Sequence, residues 1–69
     1  EEIFQYLKNE YSECEIIEID GLKIIFNDSS WVHLRKSNTE EIIRIYSEAE
    51  DASKANQIAD RVISLVNSL

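Results

Sequence analysis

This sequence of 69 residues has no methionine and no proline, and only one glycine, one cysteine and one histidine. With Cys14 as its single cysteine, the chain cannot form an internal disulfide, so a reducing, cytoplasmic location is expected. Cys14 and His33 together fall far short of the roughly four ligands that a structural zinc site needs. No apolar run approaches the ~18 residues that span a bilayer, and no secretory signal opens the chain, so the sequence predicts no membrane segment.

The chain also lacks the features of a boundary between domains. It has no repeats or low-complexity segments, and 43% hydrophobic with 30% charged residues is the composition of a folded domain. A chain of this length buries only roughly 60% of its unfolded surface, which leaves no room for a second core. We therefore predict one domain over residues 1–69. Since the sequence opens on Glu1 without methionine, within a helical pattern, we expect the domain to be cut from a longer protein.

Basic residues are scarce, because seven lysines and arginines stand against fourteen aspartates and glutamates, for a net charge of −7. Such a charge repels nucleic acids and anionic membranes, so neither is an expected partner. The basic side chains are nevertheless clustered: His33, Arg35 and Lys36 lie close together, and Arg44 follows shortly after. Any site for an anion must therefore be local.

Hydrophobic periodicity divides the chain into two amphipathic helices and four short strands. Helical spacing is found over residues 1–11 and again from Asp51, a good N-cap residue, to the C-terminus. Between them, Asp20-Gly21 is a strong hairpin signal, and strands are predicted over 14–19, 22–26, 31–35 and 42–49. This order predicts an α+β fold, α-β-β-β-β-α, in which two helices pack on one face of a four-stranded antiparallel sheet.

The segment Arg35-Lys36-Ser37-Asn38-Thr39-Glu40 joins the third and fourth strands and combines a guanidinium, an ammonium, two hydroxyls and an amide. The arginine fork matches a phosphate, the hydroxyls are short donors, and asparagine tolerates the left-handed backbone that turns amides toward one point. This chemistry indicates a phosphate pocket. The alternative is an ordinary polar hairpin loop, because serine, asparagine and threonine are common in turns.

Two further basic residues flank this segment. His33 lies two positions before Arg35 and therefore on the same side of the strand, which would place it at the edge of a phosphate site. The alternative is a partly exposed polar residue without a role, which is commoner for a lone strand histidine. Arg44 can also reach the site, but an ion pair with Glu48 on the same face is the interpretation that the sequence favours.

Four motifs follow one another between residues 20 and 50: Asp20-Gly21, Trp31-Val32, the segment from Arg35 to Glu40, and Arg44-Ile45-Tyr46-Ser47-Glu48. In this order and spacing the chain resembles the C-terminal domain of the α-D-phosphohexomutases, which include phosphoglucomutase, phosphomannomutase and phosphoglucosamine mutase. In that family a D-G hairpin precedes a Trp-Val strand, a phosphate loop R-x-S-[G or N]-T-E-P and a strand with R-[I/V]-Y-x-E. The likeness extends over the loop, both flanking strands and the closing helix, so it is more specific than one short motif.

The resemblance implies a fold like that of the TATA-box-binding protein and a site that holds the phosphate not being transferred on a phosphosugar. Carried over to this sequence, the phosphate-binding residues would be Arg35, Ser37, Asn38 and Thr39. Lys36 occupies a variable position of the motif and would add only background charge. The secondary candidates are His33, Lys36 and Arg44.

The resemblance further implies a parent isomerase that interconverts 1-phospho and 6-phospho sugars through a bisphosphorylated intermediate. The serine that transfers the phosphoryl group and the loop that holds magnesium would lie in other domains, so this domain would bind no metal or cofactor and would be inactive alone. Its partners would be the phosphosugar and those other domains, and it would close over the substrate as a lid.

Two departures from the family pattern lie in the loop. Glu41 replaces the usual proline, which removes a rigid φ and adds a carboxylate, and Asn38 replaces the frequent glycine.

A non-catalytic ligand-sensing or protein-interaction module is the main alternative function, since open antiparallel sheets serve as platforms for both. A third hypothesis, nucleic-acid binding through stacking on Trp31 and Tyr46, is opposed by the net negative charge.

Overall fold

The computed structural model describes residues 2–37 and 42–68. Along the described sequence, one helix precedes four strands and a second helix follows them: α1 (Glu2–Glu10), β1 (Glu15–Ile17), β2 (Leu22–Ile25), β3 (Trp31–Lys36), β4 (Ile43–Glu48) and α2 (Ala52–Asn67). The strands form one antiparallel sheet in the order β1-β2-β3-β4, so each strand pairs with its neighbour in the sequence. This is the predicted α+β arrangement, and the prediction is confirmed.

The two faces of the sheet differ because successive side chains along a strand point to opposite sides. In β3 the alternation is clear, since Val32 and Leu34 are fully buried while His33 is half-buried and Arg35 is exposed. The side chains that share the second side of the sheet form what we call the open face. Its members follow from the strand registers: Glu15, Ile17, Lys23, Ile25, Trp31, His33, Arg35, Arg44, Tyr46 and Glu48.

The hydrophobic core lies between the other face of the sheet and the two helices. Leu7 of α1 and Val62 of α2 are fully buried in one cluster with four residues of the central strands, Leu22, Ile24, Val32 and Leu34. Both helices therefore cover one face, as the apolar spacing in their sequences predicts. Cys14 is half-buried and packs against this cluster. Neither described helix is sufficiently long and apolar to cross a membrane.

The reversal between β1 and β2 takes more residues than the sequence indicates. The apolar run predicts a strand through Ile19, but β1 ends at Ile17, which pairs with Lys23 of β2. The remaining residues make the turn, and Asp20 and Gly21 have φ values of 54° and 119°. Ile19 therefore lies in the turn and is 73% exposed. The hairpin itself is confirmed at the predicted dipeptide.

Helix α2 begins with a side-chain cap. Asp51 has an extended backbone, and its carboxylate accepts a hydrogen bond of 2.8 Å from the backbone N–H of Lys54. This bond satisfies one of the N–H groups that have no partner inside a helix. The predicted N-cap is confirmed.

Replacing this cap should lower the stability of the domain measurably. We expect Asp51→Ala to reduce the free energy of unfolding by about 1 kcal/mol, the usual loss for an N-cap. Urea denaturation followed by circular dichroism measures it. Asp60→Ala is the control, because it removes the same charge from an exposed position inside the same helix and should not destabilise the domain. Equal losses for both variants would mean that the cap contributes nothing.

Candidate anion-binding site

Two arginines lie directly opposite each other at one end of the sheet. Arg35 of β3 and Arg44 of β4 are Cα partners in the antiparallel register, and both belong to the open face. Both side chains are exposed. Directly opposed residues have Cβ atoms only about 5 Å apart, and like charges in such a pair destabilise a sheet. A bound anion between them would remove this repulsion.

The arginine pair lines a shallow depression of about 260 Å³ together with Lys36, Ser37 and Tyr46. The sequence predicted Arg35 and Ser37 as primary phosphate ligands and Lys36 and Arg44 as secondary ones, and the structure brings all four to this place. Lys36 is exposed and Ser37 is half-buried. Three cationic groups and a hydroxyl thus surround one small cavity, an arrangement suited to a phosphate.

The ends of the predicted phosphate loop are held together by the backbone. The N–H of Ser37 donates a hydrogen bond of 3.1 Å to the carbonyl of Ile42, one step beyond the last ladder pair of β3 and β4. Asn38 and Thr39, predicted to bind phosphate, lie outside the described residues, as does Glu41. Their roles stay predictions.

His33 lies in the neighbouring row of the open face and does not line the depression. Its cross-strand partner is Tyr46, and the centroids of the two rings are 6.4 Å apart. The Nε2 atom of His33 lies 3.1 Å from the carbonyl oxygen of Asp20 in the turn before β2. Because a carbonyl can only accept, Nε2 is the protonated nitrogen in this bond. His33 therefore joins this turn to the ring of Tyr46.

The ion pair that the sequence favoured for Arg44 is not formed. Glu48 lies four residues along the same strand, and four residues of extended chain span about 13 Å. Within residues 2–37 and 42–68, Lys8 pairs with Glu18 at 3.2 Å and Lys54 pairs with Asp28, whereas neither arginine of the site has a carboxylate partner. The predicted ion pair between Arg44 and Glu48 was therefore wrong.

Tyr46 is the member of the site that sequence reasoning assigned elsewhere. The sequence predicts it as part of the motif from Arg44 to Glu48 and, together with Trp31, as a candidate stacking residue for nucleic acids, but not as a residue of the phosphate site. The structure places Trp31 at the opposite end of the open face, in register with Glu48, where the ammonium of Lys23 lies 4.4 Å from its ring centroid. The signal that could have found Tyr46 is its spacing, since it lies two residues after Arg44 and so on the same side of β4.

No group of three or more histidine, cysteine, aspartate or glutamate side chains that could hold a metal ion occurs in the described parts of the chain. The fold and the depression define a small α+β domain with a concentrated basic site on an otherwise acidic surface. A family model described as phosphoglucomutase/phosphomannomutase, C-terminal domain, matches residues 1–65, so the chain belongs to this family.

Three relatives illustrate the similarity. A probable phosphoglucosamine mutase of Methanobrevibacter smithii is 41% identical over 61 residues, which are 87% of this chain and 14% of that protein. A phosphoglucosamine/phosphogalactosamine mutase of Sulfurisphaera tokodaii is 43% identical over 68 residues, 96% of this chain and 15% of the relative. A phosphomannomutase of Methanocaldococcus jannaschii is 30% identical over 67 residues, which are 97% of this chain and 15% of that protein. The chain thus corresponds to a small part of each of these proteins.

Proposed function

We propose that this chain is the substrate-phosphate-binding domain of a phosphohexomutase, an isomerase that interconverts 1-phospho and 6-phospho sugars. The observation that carries the proposal is the pair of exposed arginines, Arg35 and Arg44, opposed in register beside Lys36 and Ser37. Placing like charges opposite each other costs stability unless an anion joins them. The membership of the chain in the mutase family supports a phosphate ester as that anion.

The role of the domain in catalysis is anchoring. It holds the phosphate that is not transferred, and the binding energy collected there positions the sugar hydroxyl at the reacting centre elsewhere. The serine that transfers the phosphoryl group and the magnesium ion belong to other domains of the parent enzyme. By closing over the substrate, this domain also helps to exclude water from the reaction.

The sugar itself is selected elsewhere in the parent enzyme. The three relatives carry names that refer to glucosamine, galactosamine and mannose phosphates, and all three share this domain with the chain. The group common to these compounds is the phosphate, and a cluster of arginine, lysine and serine recognises that group.

Titration of the isotope-labelled chain with glucose 1,6-bisphosphate tests the proposal. We expect amide shifts centred on residues 35–39 and on Arg44, with millimolar affinity. Arg35→Ala should weaken binding about tenfold or more, because it removes a charge-assisted bidentate contact. The matched control is Arg61→Ala on α2, an exposed arginine on the helix side of the sheet. Shifts spread evenly over the surface, or equal losses in both variants, would contradict a phosphate site.

A further inference from the structure

Tyr46 is the aromatic wall of the basic depression. It lies between Arg44 and Glu48 on the open face of β4, and its side chain is 46% exposed. A single exposed aromatic residue is ordinary on a protein surface. This one, however, lines the same depression as the arginine pair, so an organic group attached to an anion held there can extend to an aromatic ring.

The ring of Tyr46 is supported on one side and accessible on the other. His33 lies across the strand pair from it, with the two rings tilted by 34°, and the bond from His33 to the carbonyl of Asp20 holds the imidazole in place. On its other flank β4 is the edge strand of the sheet, since no further strand among the described residues lies beside it. A flat, largely apolar surface therefore remains available next to the guanidinium groups, at little cost in conformational entropy because tyrosine has only two χ angles.

The distance between the arginine pair and Tyr46 suits an organic phosphate ester better than inorganic phosphate. Arg44 and Tyr46 are two residues apart, about 7 Å along the strand. In a hexose 6-phosphate, one ester oxygen and one methylene separate the phosphorus from the pyranose ring. A phosphate held by the arginine pair can thus place the C–H face of its sugar against Tyr46, whereas inorganic phosphate has no group that reaches the ring.

We infer that Tyr46 is a specificity-determining residue that stacks against the sugar ring and makes the site selective for phosphate esters of cyclic sugars. This inference rests on the proposed function, because it requires a phosphate between Arg35 and Arg44. The inference concerns the part of the ligand next to the phosphate. It means that this domain distinguishes ligands that have a sugar ring from ligands that have none. The identity of the sugar is not read by a flat apolar contact.

Three ligands separate the contributions of the phosphate, the ester and the sugar ring to binding. They are inorganic phosphate, glycerol 3-phosphate, which has an ester but no ring, and glucose 6-phosphate. With the labelled chain we expect glucose 6-phosphate to bind about three- to tenfold more tightly than glycerol 3-phosphate. Tyr46→Ala should abolish this preference, so that its loss of affinity is larger for glucose 6-phosphate than for inorganic phosphate or glycerol 3-phosphate. Tyr46→Phe should keep the preference, since the ring carries it, and the amide spectrum of each variant verifies that it is folded.

Trp31→Ala is the control, because it removes the other large aromatic residue of the open face, which lies away from the arginines. It should leave the preference for glucose 6-phosphate intact. A preference that survives Tyr46→Ala, or an equal loss of affinity for all three phosphates, would overturn the inference while leaving the phosphate site in place. If the unaltered chain bound none of the three, the proposed function and this inference would both be wrong.

Discussion

Replacing Gly21 by alanine is expected to destabilise the domain by about 3 kcal/mol or more, the sum of a left-handed backbone penalty and a steric overlap. Gly21 has a φ of 119°, a conformation that residues with a Cβ atom rarely adopt. The added methyl group would also lie closer than 3.0 Å to the backbone carbonyl oxygen of Leu34 and at 3.3 Å from the Cα of Arg35. A backbone carbonyl in the middle of a sheet cannot rotate away as a flexible side chain can.

The consequence reaches the candidate site as well as the fold. A chain of this length has a total stability of roughly 3–10 kcal/mol, so the loss is a large fraction of it. Any molecules that remain folded must shift β3 near Leu34, and Arg35 follows directly in that strand. The same methyl group would approach Nε2 of His33 to 3.3 Å. We therefore expect weaker phosphate binding in the folded fraction.

Denaturant unfolding measures this effect, and Asp20→Ala serves as the control. Asp20 also has a positive φ, of 54°, but it already carries a Cβ atom, so alanine there adds neither a new backbone penalty of that kind nor the overlap at Leu34. The difference between the two variants therefore measures the whole cost of a Cβ atom at position 21, the backbone penalty and the overlap together. If Gly21→Ala lost no more stability than Asp20→Ala, the close approach between the turn and β3 would not exist in solution.

Much of the fold was predictable because its signals are local. The alternation in Trp31-Val32-His33-Leu34 specifies which side of β3 faces the core, and the spacing of apolar residues after Asp51 specifies the buried side of α2. The end of β1 was not predictable in this way. Ile19 is β-branched and apolar and extends a β pattern, but the geometry of the turn at Asp20 and Gly21 removes it from the ladder.

The candidate site was predictable in its residue types but not in its arrangement. The cluster of basic and hydroxyl groups is visible in the sequence, yet the pairing of Arg35 with Arg44 depends on the register between β3 and β4. Without that register, Arg44 was assigned to Glu48 on the same strand, although the two are too far apart to pair. The spacing along β4 places Tyr46 on the same side as Arg44, but that Tyr46 lines one depression with Arg35 depends on the same register.

Under the proposed function, alanine in place of Arg35 or Arg44 should reduce the kcat/KM of the proposed parent mutase by about 100-fold, the loss of a charge-assisted contact with a phosphate worth roughly 3 kcal/mol. We expect most of the loss in KM, because the anchoring phosphate is bound in the ground state as well as in the transition state. Some loss in kcat should accompany it, since the anchor positions the reacting hydroxyl. Steady-state kinetics of each variant, with Arg61→Ala as control, measures both.

Although these two alanine variants should lose activity, their stability without ligand should not fall. Removing either arginine relieves the repulsion between two like charges opposed across the strands, so the unfolding midpoint without ligand should stay the same or rise slightly. Added phosphate should then raise the midpoint of the unaltered domain more than that of the variants, because the variants bind it more weakly. An ordinary structural pair would lose stability on substitution. A drop in the unfolding midpoint together with unchanged kcat/KM would therefore assign the two arginines to the fold and exclude them from the phosphate site.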